Sequence, residues 1–286
     1  MKEPIIVFDH FTYSYPTKQN AIVDVDLKIF PGETIGIIGP NGAGKSTLCK
    51  SLNGLVPHFY GGIVRGRVYV AGVDTLETTV DKLSLKVGLV FQEPEAQLSG
   101  LAITVEDEVG FGLSMLGVDP RIIRERVKEA LRIVGLEGFE KRSPLELSGG
   151  EQQRLAIATV LAMKPEIIVL DEPVALLDPI GKYQVLSTVR KLAVEEGLTV
   201  IIAEHEIEEL ASIVDKIIVL YEGKILSVND SKTVLSEVEK LRAIGIDPPS
   251  ITELMFMLKN ELNIELNELP ITLSEGLRIL REMIMH

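Results

Sequence analysis

Residues 39–46 have the composition and spacing of a phosphate-binding loop. They read Gly-Pro-Asn-Gly-Ala-Gly-Lys-Ser and fit the pattern G-x-x-x-x-G-K-[ST]. Glycines at these positions let backbone N–H groups approach phosphate oxygens, where a side chain would block them. A helix that follows would direct its positive end at the same anion. We therefore expect Lys45 to reach the β- and γ-phosphates of a nucleotide and Ser46 to ligate Mg²⁺.

An acidic pair, Asp171 and Glu172, follows the apolar run at residues 167–170. The run predicts a buried strand, and its carboxyl end is where open α/β sheets bind ligands. Asp171 is suited to holding Mg²⁺, and Glu172 is suited to polarising an attacking water. Acidic pairs also occur at solvated strand ends, but the phosphate loop in the same chain favours the functional interpretation.

A second anion-binding helix start is predicted at residues 147–154, which read Leu-Ser-Gly-Gly-Glu-Gln-Gln-Arg. Ser148 and Glu151 form a capping box, so a helix should begin at Gly149 and run to Met163. The alternative is an ordinary glycine-containing turn before a helix.

The elements that position these segments alternate between strands and helices. Short apolar runs predict parallel strands that are buried on both faces; they lie at residues 34–38, 87–91, 167–170, 199–203 and 216–220. Asp119 before Pro120 predicts a helix start between two of these strands. The alternation indicates an α/β fold, preceded by β-like runs in the first thirty residues.

After residue 230 the pattern becomes helical. Ser250 and Glu253 read as a capping box, and Leu254, Leu258 and Leu262 recur on one helix face. We therefore predict a working domain at residues 1–230 and a helical extension at residues 231–286.

The composition restricts the class of protein. The 286 residues carry 29 Lys and Arg against 42 Asp and Glu, a formal net charge of −13, which argues against a generic nucleic-acid binder. The single cysteine, Cys49, excludes an intramolecular disulfide and indicates a reducing compartment. No run of 18 uncharged apolar residues occurs, so we expect a cytoplasmic chain that can lie against a membrane.

Together the segments resemble the ATP-binding cassette (ABC) ATPases, whose signature reads LSGGQ or LSGGEQQR. The resemblance covers most of residues 1–230. It implies a P-loop NTPase core with an N-terminal antiparallel β portion, a helical signature subdomain inserted at about residues 97–163, and a small C-terminal helical extension. ATP and Mg²⁺ are the implied substrate and cofactor.

The resemblance also assigns roles to single residues. Tyr15 would stack on adenine, with Tyr13 as the alternative, and Gln92 would sense Mg²⁺ and contact a transmembrane partner. Asp178 matches the D-loop aspartate, and His205 matches the switch histidine. The implied catalytic residues are Lys45, Gln92, Glu172 and His205, and the implied metal-site residues are Ser46, Gln92 and Asp171. The implied ATP-binding residues are Tyr15, Gly39, Pro40, Asn41, Gly42, Ala43, Gly44, Lys45, Ser46, Thr47, Ser148, Gly149, Gly150 and Asp178.

Two segments depart from the family pattern, the D-loop and the residues beside His205. The D-loop has Val174-Ala175-Leu176-Leu177 before Asp178, where relatives more often have small or hydroxylated residues. Glu204 stands where relatives usually have Thr or Ser before the histidine. Glu204 and Glu206 therefore flank His205, and their carboxylates would favour the charged imidazolium if they point towards it.

Softer motifs at residues 52–57, 87–97 and 105–112 resemble the energy-coupling factor (ECF) group, which powers uptake of vitamins and of cobalt or nickel ions. This implies a second cassette subunit, an integral-membrane coupling subunit and a substrate-binding membrane component, at the cytoplasmic face of the cell membrane, with no nucleic acid. Residues 97–116, including Leu98 and Leu113, would form the docking surface, and the alternative for these two leucines is burial in the core. The alternatives are the ATPase of another ABC importer type, a soluble mechanoenzyme acting on nucleic acid, and a degenerate cassette that binds ATP only for assembly.

Overall fold

The computed structural model describes residues 3–175, 177–205, 207–262, 266 and 268–284. Its strands are β1 (Ile6–Ser14), β2 (Ile22–Ile29), β3 (Thr34–Ile38), β4 (Ile63–Val70), β5 (Val73–Asp74), β6 (Val87–Val90), β7 (Ile167–Asp171), β8 (Thr199–Ala203), β9 (Lys216–Tyr221) and β10 (Lys224–Asp230). Its helices are α1 (Lys45–Leu52), α2 (Leu55–His58), α3 (Val80–Ser84), α4 (Val105–Met115), α5 (Pro120–Ile133), α6 (Gly149–Ala162), α7 (Pro179–Val194), α8 (Ile207–Leu210), α9 (Ser231–Ser236), α10 (Val238–Ala243), α11 (Ser250–Glu261) and α12 (Leu273–Ile284).

A six-stranded sheet in the order β10-β9-β3-β8-β7-β6 forms the centre of the molecule. Neighbouring strands from β9 to β6 run parallel, and β10 pairs antiparallel with β9 at the edge. Every residue of β3, β6, β7 and β8 is buried, as the continuous apolar runs predict. The predicted α/β fold with a largely parallel sheet is confirmed.

A second, antiparallel sheet has the order β2-β1-β4-β5. It contains the predicted N-terminal β portion, but the sequence analysis did not predict β4. This strand carries Arg65, Gly66 and Arg67, and most of its residues are exposed or half-buried. It therefore lacks the apolar run that marks a buried strand, and it is held instead by pairing with β1 along its length.

Helices α4, α5 and α6 lie between β6 and β7 in the sequence. They pack against one another and contribute to one apolar core. The predicted start of α5 is confirmed, because Asp119 accepts a hydrogen bond from the Arg121 amide. Leu113 of α4 lies in this core and is only 1% exposed. Its assignment to a docking surface is therefore wrong: helical periodicity places Leu113 on an apolar face but does not say what covers that face. Leu98 is half-buried against the same core.

The C-terminal helices differ from the prediction in two ways, at the start of α11 and in the face of α11 that is buried. The predicted capping box at Ser250 is wrong, because Ser250 is already the first residue of α11 and its amide donates to Glu208 Oε1 at 2.6 Å. The face of α11 that packs inward contains Ile251 and Met255, whereas Leu254 is exposed. The cause is close packing against α12, where a Cβ on Gly276 would lie 2.2 Å from Ile251 Cγ1.

Among the residues that the structure describes, we find no helix with both the length and the apolar character that a membrane span requires.

We predict that Leu113→Asp destabilises the protein by about 3 kcal/mol or more, because it places an unpaired carboxylate in a dry core. Leu101→Asp is the matched control, since Leu101 is 76% exposed in the same region, and we expect it to change the unfolding free energy by less than about 0.5 kcal/mol. Urea denaturation of both variants measures the difference. Equal stability of the two variants would contradict the burial of Leu113.

Candidate nucleotide-binding and catalytic site

The phosphate loop connects β3 to α1 and is held tightly by neighbouring backbone. A Cβ on Gly39 would lie 2.2 Å from the Leu220 carbonyl oxygen of β9, so only glycine fits there. Gly44 has a φ of +110° and leads directly into α1. The structure therefore gives the loop the strand–loop–helix setting that phosphate binding requires.

Lys45 is the buried cation of this loop. Its side chain is 5% exposed, and its Nζ donates to the Gly39 carbonyl at 3.0 Å and lies 3.5 Å from Glu172 Oε1. The ammonium group thus faces the concave side of the loop, where a phosphate would arrive, and it already neutralises a carboxylate there. Its charge is suited to the β- and γ-phosphates.

Ser46 and Asp171 bring two hard oxygen ligands together across 125 residues of sequence. The Ser46 hydroxyl donates to Asp171 Oδ1 at 3.0 Å. Burial raises the pKa of Asp171 above its ordinary value, and the Ser46 hydrogen bond opposes this shift. A hydroxyl and a carboxylate beside a phosphate loop are donors that Mg²⁺ prefers, so the residues present fit this ion.

Glu172 is the residue on which the predicted catalytic groups converge. Its Oε2 accepts from Gln92 Nε2 at 3.0 Å, and its Oε1 lies 3.4 Å from His205 Nδ1 as well as 3.5 Å from Lys45 Nζ. The Glu172 backbone has a φ of +51°, in the left-handed region, and its amide donates to the Ala203 carbonyl. The structure thus brings together all four residues predicted to be catalytic.

His205 follows β8, and its carboxylate neighbour is Glu172. Of the two carboxylates that flank His205 in the sequence, Glu204 is fully buried, and its Oε1 accepts from the Val174 amide at 3.3 Å. Glu206, and Leu176 of the D-loop, lie outside the described residues.

Two tyrosines occupy different depths near the loop. Tyr13 is fully buried, its hydroxyl donates to the Gly61 carbonyl at 2.7 Å, and burial raises its pKa to about 12. Tyr15 is half-buried, and its hydroxyl lies 3.1 Å from Thr47 Oγ1 of α1. The two rings meet edge to face at 4.7 Å. Of these two tyrosines, Tyr15 is therefore the one that is partly exposed beside the phosphate loop.

The signature segment begins α6 as predicted. The Ser148 hydroxyl accepts from the Glu151 amide and the Glu151 carboxylate accepts from the Ser148 amide, so the capping box is confirmed. Ser148 and Gly149 are exposed, and a Cβ on Gly150 would lie 3.0 Å from Gly181 Cα of α7. Asp178 caps α7 by accepting from the Gly181 amide at 2.7 Å. The starts of α6 and α7 are therefore packed against each other.

Two glutamines that the motifs do not predict as site residues adjoin the site, although one of them, Gln97, begins the predicted docking segment. Gln97 and Gln153 both hydrogen-bond to the backbone of Phe91, the residue before Gln92. Gln153 lies within the signature segment and is 1% exposed, but the sequence carries no local signal for this burial or for its partner. Its partner lies 62 positions away in the sequence.

Comparison with known proteins places this site in a family. A family model described as ABC transporter matches residues 22–175. The chain is 46% identical over 239 residues to the energy-coupling factor transporter ATP-binding protein EcfA1 of Caldanaerobacter subterraneus subsp. tengcongensis, covering 83% of each chain. It is 43% identical over 282 residues to an ABC transporter ATP-binding protein (TTE1589) of the same organism, covering 99% of this chain but only 48%, about half, of that relative.

Solved structures agree with this placement. The cbiO1 structure from Clostridium perfringens, described as part of the ABC transporter complex cbiONQ, has a TM-score of 0.75 and 32% identity, covering 89% of this chain and 100% of that one. A dimeric, post-hydrolysis structure of the ATP-binding cassette MJ0796, bound to ADP and Pi, has a TM-score of 0.67 and 29% identity, covering 79% and 98%. With the phosphate loop, the acidic pair and the signature helix arranged as described, the chain belongs to the ABC transporter family of ATP-binding proteins and is an ABC-type ATPase.

Proposed function

We propose that this chain is the ATP-binding and ATP-hydrolysing subunit of an ECF-type importer for a vitamin or a transition-metal ion. The observation that carries the catalytic part is the meeting of Lys45, Gln92 and His205 at the Glu172 carboxylate. The likeness to EcfA1 and to cbiO1 supports the importer type. We assign ATP hydrolysis to residues 1–230, with the helical subdomain at about residues 97–163, and treat residues 231–286 as an extension.

In this proposal Glu172 orients a water and accepts its proton during in-line attack on the γ-phosphate. Lys45 and the loop amides hold the phosphates, and His205 stabilises the charge that develops on the departing group. Ser46, Asp171 and Gln92 would hold Mg²⁺, which neutralises phosphate charge when bound. Tyr15 stacks on adenine, and the remaining loop residues, including Thr47, line the phosphates.

A second cassette subunit, identical or paralogous, completes each ATP site in this proposal. The start of α1 after the phosphate loop and the start of α6 at the signature are both suited to anion binding. In the described part of the chain, no hydrogen bond joins Ser148 or its neighbouring glycines to the phosphate loop. Ser148, Gly149 and Gly150 are accessible to a partner's nucleotide, with Asp178 beside them. The dimeric MJ0796 cassette bound to ADP and Pi supports this arrangement.

A groove between α4, α6 and β6 is the proposed docking site for a membrane subunit. It has a volume of about 390 Å³ and is lined by residues that include Phe91, Phe111 and Met163. Three large apolar residues that lie close to its lining residues in the sequence are at least 74% exposed: Leu101, Ile103 and Met115. A short cytoplasmic helix of an integral-membrane coupling subunit, which also contacts the substrate-binding component, fits this combination of an apolar groove and exposed apolar residues. The chain would then lie at the cytoplasmic face of the cell membrane.

We predict that Glu172→Gln abolishes steady-state hydrolysis but keeps ATP affinity, because the amide removes the base and leaves every phosphate ligand in place. Turnover of the full chain and equilibrium ATP binding measure the two effects. Turnover near the wild-type rate would show that the base is another residue, with Glu204 the first to test.

We predict that Tyr15→Ala weakens ATP binding by about 1–3 kcal/mol, the usual contribution of base–aromatic stacking. The maximal rate should be nearly unchanged, because adenine is remote from the reacting phosphate. Titration with ATP and with inorganic triphosphate separates the effects, since triphosphate has no base. An equal loss for both ligands would assign Tyr15 to the phosphate loop instead.

The importer proposal is tested by isolating the chain from its native host in mild detergent. We expect integral-membrane subunits to copurify, and we expect Leu101→Asp with Ile103→Asp to lose them while keeping the melting temperature and ATP binding. A stable double variant that retains these subunits would contradict docking on this surface. Copurification of nucleic acid, with stimulation of hydrolysis by it, would contradict the importer function.

A further inference from the structure

Two glutamine side chains from different elements hold both backbone polar groups of Phe91. The Phe91 amide donates to Gln97 Oε1 at 3.1 Å, and the Phe91 carbonyl accepts from Gln153 Nε2 at 3.3 Å. Phe91 follows the last residue of β6, so its backbone has left the sheet ladder. These side chains supply the hydrogen bonds that a neighbouring strand would otherwise make.

Gln97 is connected to α6 through the other end of its amide. Its Nε2 donates to the Ala156 carbonyl at 3.1 Å and to Thr159 Oγ1 at 3.4 Å. A backbone N–H only donates and a carbonyl only accepts, so these partners fix which end of the Gln97 amide faces Phe91. Neither a carboxylate nor an apolar side chain can make both contacts.

The two contacts connect the signature helix to the catalytic carboxylate. Gln153 belongs to α6, whose first turn carries the signature, and Phe91 is bonded directly to Gln92, which donates to Glu172 Oε2 at 3.0 Å. Phe91 and Gln97 also line the groove of about 390 Å³, so an occupant of the groove would contact the same backbone.

We propose that Gln97 and Gln153 are positioning residues for ATP hydrolysis: they clamp the Phe91 backbone so that Gln92 reaches the Glu172 carboxylate. The proposal rests on the hydrolytic role of Glu172 proposed above, and it adds a direct route by which the signature helix and the docking groove bear on that residue. Small displacements at a catalytic group are costly in rate, because the reacting atoms must be aligned closely.

The test is steady-state hydrolysis of ATP by the full chain carrying Gln97→Leu, Gln153→Leu or both. We expect each single variant to lower kcat about tenfold and to change KM for ATP by less than about twofold, because the phosphate loop is untouched. The double variant should be no slower than the slower single variant, since both side chains act through Phe91. Arg126→Met is the control: it removes a different side-chain contact to the α6 backbone, at Ala162, and should keep the wild-type kcat.

A role limited to fastening α6 to the sheet would lower the melting temperature and leave kcat unchanged well below it. Wild-type kcat in both folded single variants, or a fall in kcat as large in Arg126→Met, would overturn the proposal. If the leucine variants do not fold, Thr159→Val removes one contact of Gln97 with little change in shape and should lower kcat about twofold; wild-type kcat there would equally overturn it. The kcat of each variant relative to wild type tests the positioning role of Gln97 and Gln153. An active Glu172→Gln variant would overturn only the assignment of Glu172 as the base.

Discussion

The carboxylate of Glu172 is held between a cation, an amide and an imidazole that come from three other parts of the chain. Lys45 follows β3, Gln92 follows β6 and His205 follows β8, while Glu172 itself follows β7. Parallel strands end at the same edge of the sheet, so the order β3-β8-β7-β6 delivers all four side chains to one place. The Glu172 backbone has a positive φ, and its amide donates a hydrogen bond to the Ala203 carbonyl. Every proposed step of hydrolysis depends on this arrangement.

The parts of the fold that could be predicted are those in which one local pattern has one structural meaning. Continuous apolar runs predicted β3, β7 and β8 because a parallel strand that is buried on both faces is mostly apolar. The capping box at Ser148 was readable because both of its partners lie within four residues. In contrast, β4 depends on pairing with β1, and its charged residues hide it from a search for apolar runs.

The parts that could not be predicted depend on what packs against an element. Leu113 and Leu254 both lie in apolar helical patterns, yet the first is buried and the second is exposed, because the neighbouring helices cover only one of them. The contact between Gln153 and Phe91 spans 62 residues and has no local pattern at all. In the site, the loop, the acidic pair and His205 were predictable from motif and strand end, whereas the hydrogen bonds that connect Phe91 and Gln97 to α6 required the fold.

In the proposed mechanism, Glu172 activates water at a phosphate that the signature segment of a second subunit caps. Vanadate mimics the γ-phosphate in the transition state of hydrolysis. A structure of the full chain trapped with Mg²⁺, ADP and vanadate is therefore the most direct test of these two roles. We predict a dimer in which the Glu172 carboxylate contacts the in-line oxygen on vanadate and Ser148 of the second copy contacts its equatorial oxygens. A monomeric trapped state would contradict the role of a second subunit. An in-line oxygen held by Glu204, with Glu172 turned away, would contradict the role of Glu172.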